Sequence, residues 1–113
     1  VVVQTDRDVY VSGGVAEIRF TITNRTADAV SIYQSGCGGP LAELQRRHDG
    51  AWETVLRPDC PGFFPPLQLA PGASVEGGVA PPPSSGTYRL RVPYGAPGFQ
   101  VVRDGLSPSF IVR

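Results

Sequence analysis

Two segments of this chain alternate apolar and polar side chains residue by residue, and this pattern restricts the fold more than any other feature. In residues 15–24 every second side chain from Ala16 to Ile22 is apolar, and residues 86–94 repeat the pattern from Tyr88 onward. A period of two is typical of a β-strand that has one face in the core and the other in water. The chain is therefore predicted to form antiparallel sheets, each with one solvated face.

Glycine and proline separate the apolar segments and indicate turns between short strands. The chain has 14 Gly and 12 Pro residues, which is about twice their usual fraction. Asp49-Gly50 stands between two strand-like runs, 41–47 and 51–57, and this dipeptide accepts the positive φ angles of a tight hairpin turn. Because the hairpin favours a strand over a helix at 41–47, we predict an all-β fold with seven to nine short strands and no helix.

The length of the chain suits one domain, residues 1–113, with one hydrophobic core. Many short strands joined by turns are typical of a sandwich, so the expected architecture is a two-sheet antiparallel β-sandwich. The apolar patterns predict that Phe20, Trp52 and Tyr88 lie at the centre of its core.

The two cysteines, Cys37 and Cys60, lie in loops that are rich in glycine and proline. Buried structural thiols usually lie in apolar strands, whereas paired loop cysteines more often form a disulfide. We therefore predict a Cys37–Cys60 disulfide and an extracytoplasmic location, which is periplasmic, on the cell surface or secreted. Two free thiols and half of a metal site are the alternatives that the sequence leaves open.

Charge and hydropathy argue against two classes of partner. Ten acidic and ten basic residues give a net charge of zero, and every basic residue is Arg. Nucleic-acid binding needs a clustered positive field, so we expect no nucleic-acid partner. No apolar run approaches the roughly 20 residues of a membrane span, so we expect no direct membrane insertion. Any leader or lipid anchor is expected upstream of Val1.

Short motifs in the second half of the chain resemble those of immunoglobulin-like domains. Gly86-Thr87-Tyr88-Arg89-Leu90, after Leu69-Ala70-Pro71-Gly72, is similar to the tyrosine-corner region, where a Tyr near the start of a late strand bonds the preceding corner. Leu90 occupies the position of the second core cysteine of antibody domains. The resemblance therefore implies an immunoglobulin-like sandwich that lacks the core disulfide, with Cys37–Cys60 as a separate link between loops.

A longer series of motifs is similar to bacterial secreted or lipoprotein immunoglobulin-like domains and, in its order, to the intracellular proteinase inhibitor family of Bacillus. The opening segment 5–10 resembles the first strand of macroglobulin-type domains. The resemblance implies the fold more than a function, because these motifs are structural. Two cysteines depart from an intracellular inhibitor, and no inhibitory loop matches residue by residue. The motifs of the series are at 20–24, 29–32, 50–52, 69–72, 86–89 and 107–110.

The residue types that carry catalysis or bind metals form no convincing cluster in the sequence. His48 is the one histidine, and beside a hairpin tip it is expected to be a solvated turn residue rather than the base of a Cys–His pair. No Gly-x-Ser-x-Gly motif is present. Asp6 and Asp8 fit the wet face of an edge strand better than a calcium site, which needs more oxygen ligands. We therefore predict a non-enzyme with no catalytic residue, cofactor or metal.

Arginine side chains occupy the polar face of the second alternating segment. Arg89 and Arg91 lie on this face, and Arg19 is a candidate to join them from another strand. Such a stripe is able to bind carboxylates or phosphates. The interpretation that we favour is a solvated sheet face whose arginines pair across strands with acidic residues. The candidate acidic partners are Glu17, Glu53 and Glu76.

Residues 57–66 are the most promising segment for partner binding. Phe63 and Phe64 stand among prolines next to Cys60. A stiff, tethered loop loses little entropy on binding, and aromatic residues are enriched at interface hot spots. The alternative is that the rings fold back and cap the sandwich. The candidate partner-binding residues are Arg57, Phe63, Phe64 and, from a second loop at 95–99, Phe99.

These features predict a non-enzymatic extracytoplasmic bacterial domain for protein–protein interaction or structural support in a surface or envelope assembly. Its partner is expected to be a protein. A proteinase inhibitor that acts through residues 57–66 is one alternative. Carbohydrate binding on a sheet face is another, although it needs exposed aromatic side chains and Trp52 is expected in the core.

Overall fold

The computed structural model describes residues 1–62, 64–95 and 102–113. All regular secondary structure within these ranges is β, which confirms the all-β prediction. The strands are, in chain order, β1 (Val2–Thr5), β2 (Val9–Tyr10), β3 (Ile18–Thr23), β4 (Val30–Ile32), β5 (Glu43–His48), β6 (Ala51–Leu56), β7 (Leu67–Leu69), β8 (Ser74–Val79), β9 (Gly86–Gly95), β10 (Val102–Leu106) and β11 (Phe110–Val112).

The described residues contain eleven strands rather than the predicted seven to nine, because short interruptions divide longer strands. Between β1 and β2 the chain leaves one sheet and enters the other. The strands β10 and β11 lie end to end along one side of β9. The regular strand structure is interrupted between them, at Ser107 and Pro108. A proline has no N–H to donate to a ladder, so an interruption at this point is physically expected.

Two sheets form the sandwich. The first has the order β1-β3-β8, and the second is built around β9. On one side of β9 lie β10 and β11; on the other side lie β4 and β5, which carry β7 and β6 respectively at their outer edges. The pairing is antiparallel except between β2 and β11, which are parallel and depart from the predicted all-antiparallel arrangement.

The core lies between the sheets and uses the alternating positions that the sequence indicates. Ile18 and Leu90 are 0% exposed and Phe20 is 2% exposed. Ala16 is exposed, contrary to the pattern, because β3 begins only at Ile18. The buried apolar residues are Val3, Tyr10, Ile18, Phe20, Ile22, Val30, Ile32, Ala42, Leu44, Leu69, Tyr88, Leu90, Val92, Phe110 and Val112.

Tyr88 is buried in the core and makes the corner bond that its position in the sequence predicts. Its hydroxyl donates a hydrogen bond of 2.8 Å to the carbonyl oxygen of Ser84. This bond satisfies the one polar atom of a buried ring and joins the beginning of β9 to the segment before it. The ring also stacks on Phe110, with 6.3 Å between the centroids.

The prediction that Trp52 anchors the core is wrong. Trp52 lies on the outer face of the second sheet and is only partly buried. Its cross-strand neighbour is Arg47, and the guanidinium carbon of Arg89 lies 4.4 Å from the centroid of its ring. The short segment around Trp52 has no clear alternation, so the sequence could not show which face of β6 turns inward. A cation–π contact takes the place of core packing.

Two buried polar side chains complete the hydrogen bonding where strands end. The Asn24 amide donates to the carbonyl oxygens of Asp28 and Leu69, both at 2.9 Å. Ser107 Oγ accepts a bond of 2.8 Å from the N–H of Leu90. Each side chain supplies a partner to main-chain groups at a point where the sheet ladder does not continue.

Candidate functional site

Two loops that interrupt neighbouring strands form the main candidate site. Residues 33–42 connect β4 to β5, and residues 57–66 connect β6 to β7. Because β4 pairs with β7 and β5 pairs with β6, the two loops leave the sheet side by side at the same level. We call residues 33–42 and 57–66 the paired loops. The predicted Cys37–Cys60 bond already implied that the two loops meet, and the strand pairing shows how they are positioned.

A disulfide between Cys37 and Cys60 joins the paired loops, which confirms the predicted bond. The two Cα atoms are 5.0 Å apart, and the bond closes a sequence separation of 23 residues. Both cysteines are solvent-exposed. Disulfides persist in oxidising compartments, so the bond is consistent with the expected extracytoplasmic location.

Close packing of main chain on main chain also holds the paired loops together. A Cβ atom at Gly36 would overlap the carbonyl oxygen of Cys60 and would lie 3.0 Å from that of Gly62. The Gln34 side-chain amide donates a bond of 2.7 Å to the carbonyl oxygen of Pro65. Only glycine permits this approach at position 36, so the loop geometry depends on Gly36 as well as on the sulfur bridge.

The first of the paired loops is a small hairpin with its own hydrogen bonds. Its Ser35 N–H donates to the Gly39 carbonyl oxygen, and the Gly38 N–H donates to that of Ser35, both at 3.0 Å. Gly38 and Gly39 adopt φ angles of 88° and 77°, a region where other residues are strained. These bonds fix the turn that carries Cys37.

A β-bulge in the β5–β6 hairpin determines which side chains face the space beneath the paired loops. The register shifts between Leu44 and Gln45, so that Gln45 opposes Thr54 but Leu44 opposes Leu56. The extra residue reverses the alternation and turns Leu56 to the same face as the core residue Leu44. Leu56, 38% exposed, therefore lines a cleft instead of the outer face.

A cleft of about 400 Å³ opens between the paired loops and the end of β8. One wall consists of residues from the paired loops and the end of β6, including Pro40, Leu56 and Arg57, and the other consists of residues 77–80. A concave site with apolar walls and a few polar groups is a typical binding geometry. Because the disulfide lies at its rim, the cleft and the tether form one structural unit.

Arg57 stands at the mouth of this cleft and belongs to a charged network on the outer face. Its guanidinium lies 3.1 Å from a carboxylate oxygen of Glu43, whose other oxygen lies 2.8 Å from Arg91. Arg91 also contacts Asp104 at 2.9 Å. The Arg57 side chain is 72% exposed, so its ion pair contributes little stability, on the order of 1 kcal/mol or less.

The structure places two of the four predicted partner-binding residues at the candidate site. Arg57 and Phe64 are both exposed, and the Phe64 ring does not fold back into the core because it is 45% exposed. Phe63 lies outside the described residues. Phe99 also lies outside them, together with most of the second candidate loop, 95–99.

The other hypotheses about site chemistry find limited geometric support in the described ranges. His48 is solvated beside the Asp49-Gly50 turn, with its side chain 64% exposed. Both cysteines are in the disulfide, so neither is free to form a nucleophile with His48. Among the residues that the structure covers, no three His, Cys, Asp or Glu side chains lie close enough to hold a metal ion.

The predicted arginine stripe is divided between the two sheets. Arg19 lies on β3 in the first sheet and pairs with Glu17 at 2.8 Å and Glu76 at 3.6 Å. Arg89 and Arg91 lie on β9 in the second sheet. They therefore cannot form one binding surface with Arg19, and across-strand pairing is the arrangement that the structure contains.

Arg89 contacts two neighbouring side chains on the outer face of the second sheet. Its Nε donates a bond of 2.8 Å to the Gln45 side-chain oxygen, and its guanidinium covers Trp52. Partial burial lowers the pKa of Arg89 from its usual value, and the carboxylate of Asp104 opposes this effect. The guanidinium of Arg89 therefore covers one face of the Trp52 indole.

Sequence reasoning missed the contributions of Gly36 and Glu43 to this site. Glu43 is 9% exposed and is the shared partner of two arginines, although the sequence pointed to other acidic residues as partners. The only sequence signal for Gly36 is the dense run of glycines around Cys37. The pairing of the two loops, which gives both residues their roles, depends on strand register and is not readable from composition.

The geometry defines a two-sheet β-sandwich that displays a tethered pair of loops beside a cleft. Comparisons with known protein families, with curated proteins and with solved structures find no match for this chain. The residues that the structure covers contain no helix with the length and apolar character of a membrane span.

Proposed function

We propose that this chain is a non-enzymatic protein-binding domain that works outside the reducing cytosol and contacts its partner through the paired loops and their cleft. The observation that carries the proposal is the Cys37–Cys60 link between loops that already lie side by side. A covalent tether across adjacent loops reduces their freedom in the unbound state. Binding then costs less conformational entropy, which is the general advantage of a preorganised site.

Exposed side chains of residues 57–66 and of the end of β6 support the same function. Phe64 is 45% exposed and Leu56 is 38% exposed, beside the charged but mostly solvated Arg57. Aromatic and arginine side chains are enriched at the energetic centres of protein interfaces. An exposed ring on a proline-rich, disulfide-tethered loop is therefore better suited to a protein partner than to structural filling. We place this domain in a periplasmic, surface-attached or secreted protein, where the disulfide would persist.

Proteinase inhibition is the second candidate, and the tether favours it as a special case of protein binding. Residues 57–66 are solvent-exposed over most of their described length and are fixed to the neighbouring loop at Cys60. A panel of serine and cysteine proteases, each assayed with micromolar domain, tests this idea. If the oxidised domain slows substrate turnover by one of the proteases and the Phe64→Ser variant does not, the result supports inhibition. Unchanged protease rates across the panel would contradict it.

Affinity capture from an envelope fraction tests the main proposal. The immobilised oxidised domain is compared with Phe64→Ser and with Ile111→Ser, a matched control because the two apolar side chains are 45% and 43% exposed. Ile111 lies on β11, on the opposite side of β9 from the strands that carry the paired loops.

We expect a specific protein, identified by mass spectrometry, to bind the wild type and Ile111→Ser and to be lost with Phe64→Ser. Equal recovery on all three proteins, or loss with Ile111→Ser alone, would contradict the proposal, because the paired loops would then not be the contact surface.

A further inference from the structure

The outer edge of β8 lies beside the cleft. Within the described ranges β8 pairs with β3 and with no other strand. Its residues Gly77, Gly78 and Val79, followed by Ala80, line the cleft opposite the paired loops. An edge strand carries unpaired main-chain groups that are able to pair with another chain.

The register shows which main-chain groups of β8 point into the open. The Asn24 N–H donates to the carbonyl oxygen of Ala73 at 3.0 Å, so these two residues form a hydrogen-bonded pair. In an antiparallel ladder such pairs alternate, and the residues at 75, 77 and 79 therefore bond to β3. Glu76 and Gly78 consequently direct their N–H and carbonyl groups away from β3. Gly78 is also one of the residues that line the cleft.

The walls of the cleft favour a narrow and largely apolar occupant. Its apolar lining includes Pro40, Ala42, Leu56 and Val79, while Gly77 and Gly78 add no side chains that would block the edge. One arginine and one aspartate line the cleft, so the lining has no net charge. Because the paired loops line the cleft opposite residues 77–80, they would obstruct the edge of a second sandwich more than a single extended chain.

We propose that the cleft binds an extended segment of a partner protein as an added β-strand along β8. The segment carries apolar side chains at alternate positions and needs no charged side chains. Main-chain bonds to Gly78 and its neighbours supply the affinity, and the apolar wall around Leu56 selects the side chains, as in other cases of strand addition. This inference rests on the proposed protein-binding function and specifies how the partner is held.

A matched pair of variants at position 78 tests the proposal. Gly78→Ala and Gly78→Pro both add a Cβ atom, which meets the flexible end of the Glu17 side chain, but only proline removes the N–H. An edge position whose N–H faces away from the sheet tolerates proline. Thermal unfolding followed by circular dichroism verifies that both variants fold.

The probe is a displayed library of random dodecapeptides, selected on the oxidised wild-type domain. We expect selected peptides with alternating apolar residues that bind Gly78→Ala within a few-fold of wild type and Gly78→Pro at least about tenfold more weakly. On the peptide side, N-methylation of successive residues should reduce binding with a period of two, because alternate N–H groups face β8. The N-methylation series uses the wild-type domain, so its result does not depend on the stability of the Gly78 variants.

Amide hydrogen exchange gives the most direct readout. The N–H of Gly78 should exchange rapidly in the free domain and become at least about tenfold slower at saturating peptide. Equal binding to Gly78→Ala and Gly78→Pro, no periodicity on N-methylation, or concentration-dependent protection from a second copy of this chain would overturn strand addition.

The two proposals fail in different ways. If the natural partner is lost with Phe64→Ser but binds Gly78→Pro normally, the protein-binding function holds and strand addition does not. If Gly78→Pro and Phe64→Ser both retain the partner, the proposed function is wrong as well.

Discussion

Removal of the Cys37–Cys60 disulfide should destabilise the domain by about 3.5 kcal/mol. The value follows from the closed loop: a separation of 23 residues restricts the unfolded chain, and the chain-entropy relation gives about 3.5 kcal/mol at 25 °C for a loop of this size. Serine is a suitable replacement at both positions because Cys37 and Cys60 are solvent-exposed. The free energy of unfolding would be measured by urea denaturation of the oxidised wild type and of the Cys37→Ser/Cys60→Ser variant.

The slope of the denaturation curve adds a second test of the same reasoning. Without the tether the unfolded chain expands, so the m-value should increase while the native signal of the core stays the same. Gln34 and Gly36 still hold the loops together in the native state, so the fold should persist. A loss below about 1 kcal/mol with an unchanged m-value would refute the argument that the bond acts mainly on the unfolded chain.

Three further predictions concern single residues. Gly36→Ala should destabilise the domain by about 1–3 kcal/mol in urea denaturation, because its Cβ overlaps the Cys60 carbonyl oxygen. Ser107→Ala should cost about 1–3 kcal/mol, since it leaves the buried Leu90 N–H without its partner. Burial, followed by the bond to Asp6, raises the pKa of Tyr10 from 10.0 to about 12. Stability that is fully present below pH 10 should therefore fall by about 2 kcal/mol as the pH rises to 12.

Controls separate these effects from general damage. Gly38→Ala is a poor control for Gly36→Ala, because Gly38 has a positive φ that strains any other residue. Ala51→Gly, at the exposed start of β6, instead measures how much an alanine–glycine exchange without a steric overlap changes the free energy of unfolding. Ser107→Thr keeps the hydroxyl and should restore most of the stability. Tyr10→Phe should remove the fall between pH 10 and 12. A Tyr10 absorbance titration with its midpoint near 10, or neutral Gly36 and Ser107 variants, would contradict the corresponding prediction.

The sequence predicted those parts of the fold that depend on local pattern. The alternation through Ile18, Phe20 and Ile22 identified a core strand, and Asp49-Gly50 identified a hairpin whose φ angles are 50° and 78°. These features follow from period-two side-chain placement and from residues that accept positive φ. Tyr88 and its corner bond belong to the same group, because a short local motif positions them.

Features that depend on pairing between distant segments were not readable from the sequence. The bulge that turns Leu56 into the cleft exists only once β5 and β6 are in register. The apolar pattern predicted Trp52 in the core, yet its strand presents it to Arg89 on the outer face. The two cysteines predicted a bond between the loops, but only the structure shows that the bonded loops lie across a cleft from the end of β8.

Site-specific photo-crosslinking tests the central claim most directly. A benzophenone amino acid would replace Phe64 in one variant and Val11, 63% exposed and near β2, in another. Both oxidised proteins would be irradiated in the presence of the native envelope fraction. We expect a discrete protein adduct from position 64 and none from position 11. Adducts from position 11 alone, or equal adducts from both positions, would show that the partner does not bind at the paired loops.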